Sequence, residues 1–131
     1  MSEIRVLLVD DEADFIETVV KRLLRRKIAA EGVNSGRGAL AALDAGAFDV
    51  VILDVKMPGM DGMETLREIK KRHPDVEVIM LTGHATVESG VLGTSLGAFD
   101  YLMKPADLDD LVEKIRQAWE RRQSGGKREG A

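Results

Sequence analysis

The chain has 131 residues, a formal net charge of −4 and a pI near 5.2, the size of one domain that can bury a core without staples. It contains no cysteine, which excludes a disulfide framework and thiolate metal sites. The acidic balance gives no whole-domain attraction to nucleic acid, no apolar stretch nears the roughly 20 residues that span a bilayer, and Met1 to Arg5 lacks a signal-peptide layout; a cytoplasmic protein is expected, binding neither membrane nor nucleic acid directly.

Apolar runs of strand length alternate with longer segments of helical period, the pattern of a parallel sheet covered by helices on both faces. Ile4 to Val9 reads as the first strand. Asp11 or Asp14 can start a helix in which Phe15, Ile16, Val19, Val20, Leu23 and Leu24 recur at helical spacing, ending in the basic Arg25-Arg26-Lys27 that suits a helix C-terminus. Ile28 to Val33 is a weak second strand, and Ser35 to Ala45 a short alanine-rich helix. Val50 to Leu53 is a third, wholly apolar strand, followed by a loop from Val55 to Met60. Asp61, with Glu64 three residues on, resembles a capping box and starts a helix to Arg72.

His73-Pro74-Asp75 breaks the chain before a fourth buried strand, Val76 to Leu81. A crossover helix is expected over Ala85 to Leu96, yet it holds Gly90 and Gly93. Each interior glycine costs about 1 kcal/mol relative to alanine, so this helix should be locally weak. Phe99 to Met103 is a short fifth strand, and Asp107 to Arg121 a closing amphipathic helix with Leu108, Leu111, Val112, Ile115 and Trp119 on one face. The basic residues Arg121, Arg122, Lys127 and Arg128 read as solvated charge. There is no internal repeat.

The chemistry-bearing residues fall at strand ends. Asp10 and Asp11 follow the first strand, Asp54 the third, Thr82 the fourth and Lys104 the fifth. In an open parallel sheet these ends meet at the C-terminal edge, where such folds place their ligands. An ionised carboxylate after a continuous β-branched run is costly unless the strand end opens onto a working site. Several carboxylates together repel unless a cation intervenes, and Mg²⁺, a hard ion that takes one or two carboxylates plus waters and phosphate oxygens, suits them; Mn²⁺ is a second fitting ion. A lysine adds fixed positive charge that can hold a phosphate, and a threonine hydroxyl can turn to donate to one.

The motifs Val9-Asp10-Asp11-Glu12, Leu53-Asp54-Val55-Lys56-Met57-Pro58-Gly59-Met60-Asp61-Gly62, Leu81-Thr82-Gly83-His84 and Tyr101-Leu102-Met103-Lys104-Pro105 together resemble a response-regulator receiver domain of bacterial two-component signalling. The resemblance implies a doubly wound, flavodoxin-like fold with five parallel strands in the order 2-1-3-4-5 and five flanking helices. It implies that Asp54 is the phosphoacceptor and that Asp10, Asp11, Asp54 and the backbone carbonyl of Lys56 hold the metal. Thr82 and Lys104 would contact the phosphoryl group, Tyr101 would be an aromatic switch following Thr82, and Lys104-Pro105 would be a cis peptide. A sensor histidine kinase or phosphotransfer protein would be the donor, with Phe15, Thr18, Val19 and Arg22 as candidate contacts. A downstream protein would read the face formed by the fourth helix, fifth strand and fifth helix. Lys56 and His84 are candidate tuners of phosphoryl lifetime; neither His73 nor His84 has a partner at zinc-ligand spacing.

Residues 1–122 are read as the receiver and 123–131 as a flexible tail. Two readings of that tail stand: a stand-alone receiver, which its frayed composition favours, or a piece cut at a linker from a longer regulator. A different functional class is a Mg²⁺-dependent phosphohydrolase of the haloacid-dehalogenase type, with the nucleophile on the first strand. Against it, Asp10-Asp11-Glu12-Ala13-Asp14 lacks the threonine of that family's Asp-x-Asp-x-Thr, and no cap insertion is present. Bland readings accompany each residue: acids favoured at a helix start for Asp10 to Glu12, a solvated lysine for Lys104, an ordinary core ring for Tyr101.

Overall fold

The computed structural model describes residues 4–55, 61–83 and 87–124. Five strands and five helices alternate: β1 (Arg5–Val9), α1 (Ala13–Arg25), β2 (Ala29–Val33), α2 (Gly36–Ala45), β3 (Val50–Leu53), α3 (Gly62–Arg72), β4 (Glu77–Thr82), α4 (Val87–Ser95), β5 (Asp100–Met103) and α5 (Leu108–Gln123). The strands form one parallel sheet in the order β2-β1-β3-β4-β5.

Period-two alternation along the inner strands divides the core in two. Leu7, Val9, Val51, Leu53, Val78 and Met80 face Ala39, Leu40 and Leu43 of α2 and Leu66 and Ile69 of α3. Val6, Leu8, Val50, Ile52, Ile79 and Leu81 face Val19 and Leu23 of α1 and Leu111, Val112, Ile115 and Ala118 of α5. Both faces are covered, which is why these strands are continuously apolar rather than alternating. The edge strand β2, with Glu31 and Gly32 exposed, lacks that pattern.

Local chemistry sets the helix starts. Ser35 Oγ accepts from Gly38 N at 3.0 Å, and Asp61 Oδ1 accepts from Glu64 N at 2.9 Å, each satisfying an otherwise orphaned first-turn donor. The start of α1 differs from expectation: its N-cap is Glu12, without a side-chain capping bond, and the helix begins at Ala13 rather than at Asp11 or Asp14. The acidic run thus precedes the helix. At the other end of the fold, α5 continues past Arg121 to Gln123.

Candidate functional site

The register of the central strands places the acids. Val9 pairs with Leu53 across β1 and β3, so Asp10 and Asp54 are the next residues on adjacent strands. The ladders continue through them: Asp54 N donates to Val9 O at 3.0 Å and Asp10 N to Val33 O at 3.2 Å. On the other side, Lys104 N donates to Thr82 O at 2.9 Å. Asp10, Asp54 and Lys104 therefore sit on backbone fixed by sheet hydrogen bonds rather than on free loops.

Asp10 is 1 % and Asp54 6 % exposed, and Thr82 is fully buried, while Asp11 faces solvent. One carboxylate oxygen each from Asp10, Asp11 and Asp54 lies within 4.8 Å of the other two, a donor set a single hard cation can share. The Lys104 ammonium donates to Asp10 Oδ2 at 2.7 Å and to Glu12 Oε1 at 2.9 Å, and lies 3.7 Å from Asp54 Oδ2. It also sits 4.3 Å from the centroid of the Phe15 ring. The Lys104–Pro105 peptide bond is cis.

Burial pushes the Asp10 carboxyl above the ordinary carboxylate range, a rise only partly offset by the bond from Lys104 and the Glu12 N–H. For Lys104, burial pulls the other way, but the hydrogen bonds to Asp10 and Glu12, with the charges of Asp10 and Asp54, prevail and hold the ammonium above its usual value. The lysine is thus a fixed cation among acids, and even so Asp10 is not fully compensated. That residual electrostatic cost is what an added divalent ion would relieve.

The remaining sequence candidates are distributed around this centre. Tyr101 is 36 % exposed on β5, and its ring covers Gly90 of α4, lining a surface hollow of ≈450 Å³ with Gly90, Val91, Thr94 and Ser95. Phe15, Thr18, Val19 and Arg22 line a second hollow of ≈170 Å³ between α1 and α5, with Leu81, Ala106, Leu108 and Leu111. Lys56 and His84 lie outside the described residues. Two neighbours of Lys104 were not singled out from sequence in this role: Glu12, read as one of an acidic run and as the end of the first motif, and Phe15, read as a helix-face residue and a candidate contact for the phosphoryl donor.

A model of the response regulator receiver domain matches residues 6–116, with the paired acids, Asp54, Thr82 and Lys104 inside the matched span. The chain belongs to the receiver-domain family. This receiver is 38% identical over 118 residues to the DNA-binding transcriptional regulator NtrC of Salmonella typhimurium, covering 86% of this chain and 24% of NtrC. It is 36% identical over 116 residues to the transcriptional regulatory protein TcrA of Mycobacterium tuberculosis, covering 88% of this chain and 46% of TcrA. The chain therefore spans between about a quarter and a half of these curated relatives. Among solved structures, the CheY-like receiver domain protein of Methanospirillum hungatei JF-1 superposes with a TM-score of 0.90 at 31% identity, covering 95% of this chain and 99% of that one. The five-stranded order observed here is the flavodoxin-like receiver fold, and no described helix is long and apolar enough to cross a membrane.

Proposed function

We propose that this receiver is a cytoplasmic, Mg²⁺-dependent phosphorylation switch in which Asp54 accepts a phosphoryl group from a sensor histidine kinase or phosphotransfer protein. One observation carries the reading: the Asp54 carboxylate shares a 4.8 Å cluster with Asp10 and Asp11 and lies 3.7 Å from the Lys104 ammonium. Asp10, Asp11 and Asp54, with the Lys56 backbone carbonyl, would hold Mg²⁺, which when bound supplies the positive charge that lets carboxylates and phosphoryl oxygens coexist. An Asp54 oxygen attacks phosphorus, the bond from phosphorus to the donor nitrogen breaks, and the electron pair leaves with the donor imidazole. Lys104 offers its ammonium to the new phosphoryl oxygens, and Thr82 its hydroxyl.

The donor's docking place in this reading is the hollow bounded by Phe15, Thr18, Val19 and Arg22. Output is read by a protein partner on the face of α4, β5 and α5, where Val91, Leu92, Tyr101 and Met103 are exposed. Tyr101 responds to the rearrangement at Thr82, and the phosphoryl group is lost by slow self-catalysed hydrolysis rather than by turnover of an external substrate.

Acetyl phosphate with Mg²⁺ should add one phosphoryl group to the wild-type chain by intact mass, and beryllofluoride with Mg²⁺ should shift backbone amide resonances around Asp54. Asp54→Ala should abolish both responses. Phosphoryl uptake that survives in Asp54→Ala, or a wild type inert to both reagents, overturns the proposal.

A further inference from the structure

The surroundings of Lys104 contain more than the transfer itself requires. The ammonium is beyond hydrogen-bond distance of Asp54, at 3.7 Å, whereas its short donations go to Asp10 at 2.7 Å and Glu12 at 2.9 Å. The Phe15 ring, 4.3 Å away, flanks the same charge. Asp10, Glu12 and Phe15 all belong to the junction of β1 and α1, so the short contacts draw the ammonium to that junction rather than to the phosphoacceptor. Glu12 is well placed for this: its N–H is held by Asp10 Oδ1 at 3.0 Å, yet its carboxylate is not spent on capping the helix it precedes. The Glu12 side chain is 64% exposed and that of Lys104 15%, which sets their pair at the rim of the site.

We propose that Glu12 and Phe15 are positioning residues that hold Lys104 in a resting place at the head of α1 and thereby set how readily it engages a phosphoryl group on Asp54. This rests on the reading of Asp54 as phosphoacceptor. Two of the three ammonium donors go to Asp10 and Glu12, so Glu12 and the Phe15 ring pull on the position of the charge that a phosphoryl oxygen would share, and weakening either pull lets the lysine settle closer to the phosphoryl group. A rim ion pair and a cation–π contact are individually small, which translates to a gain of about two- to fivefold in affinity for a phosphoryl mimic.

The test is titration of beryllofluoride into the whole chain at saturating Mg²⁺, so that altered attraction for the metal drops out, followed by backbone amide and lysine side-chain resonances. Glu12→Gln and Phe15→Leu should each tighten binding by about two- to fivefold and shift the Lys104 Nζ resonance of the resting protein. Asp14→Asn removes the same charge from the first turn of α1 without touching a partner of Lys104, and should change neither. Unchanged or weaker binding in Glu12→Gln or Phe15→Leu overturns the role assigned to that residue, and an equal gain in Asp14→Asn reduces the Glu12 effect to bulk charge and overturns it too. A wild type that takes up no beryllofluoride instead refutes Asp54 as phosphoacceptor, and this inference falls with it.

Discussion

A Cβ on Gly62 would lie 2.4 Å from the Asp54 carbonyl oxygen and 2.4 Å from Val55 Cα, backbone atoms that cannot swing aside. The Gly62 N–H also donates to Val55 O at 2.8 Å, so α3 begins directly against the strand end that presents Asp54. Gly62→Ala is expected to destabilise the fold by about 1–3 kcal/mol through overpacking and to weaken beryllofluoride binding. Denaturant melts and the same titration check this, and a variant as stable and as responsive as wild type would contradict it. Sequence alone marked Gly62 only as part of a motif, because no spacing rule shows that its missing side chain faces the backbone of residue 54. Asp10 and Asp54 were legible for the opposite reason, since a charge after an unbroken apolar run is anomalous in itself. The roles of Glu12 and Phe15 were not, because their shared partner Lys104 arrives from a distant strand, 92 residues along the chain from Glu12.

Helix ends show a similar division. The basic run after Leu24 correctly signals the end of α1, but not its geometry: Lys27 takes φ of 64°, and Ile28 N closes the helix by donating to Leu23 O at 3.0 Å. Left-handed backbone at this position favours glycine, since a side chain there crowds the following carbonyl. Lys27→Gly should therefore stabilise the protein by about 0.5 kcal/mol after allowance for glycine's greater unfolded-state freedom, read as a higher denaturant midpoint; a lower midpoint would contradict the strain argument. In α4, composition revealed the glycines but not their use. A Cβ on Gly93 would come within 2.5 Å of Met80 Cε, and one on Gly90 within 2.7 Å of the Tyr101 ring. At these positions α4 approaches β4 and β5 so closely that an added Cβ would displace the end of Met80 or the Tyr101 ring, so the intrinsic weakness read from sequence is joined to a close packing that only the assembled sheet reveals.

Across the whole molecule, charge is organised along the strand direction. At the sheet edge opposite Asp54, Asp49 accepts from Arg5 N at 2.9 Å and from Arg122 Nη1 at 3.1 Å, while buried Glu77 pairs with Arg121 at 3.5 Å. Arg26 meets Asp109 at 2.6 Å near the start of α5, so that helix is tied down at both ends. Asp49→Ala removes the acceptor for two donors and is expected to cost about 1–3 kcal/mol, measurable by chemical denaturation; a loss within error of zero would show that these bonds do not anchor the helix. The alternation of strands and helices was legible from periodicity, and so was the parallel class, but the side-by-side placement of β1 and β3 came from family resemblance rather than from any local pattern. That placement has a consequence for any ion the acids could share. Because the β1–β3 ladder runs on into Asp10 and Asp54, the backbone that carries the two carboxylates is held side by side, as the arms of a preorganised chelator would be. Much of the work of bringing like charges together is done when the sheet forms, so an ion taken up there would have less chain left to order.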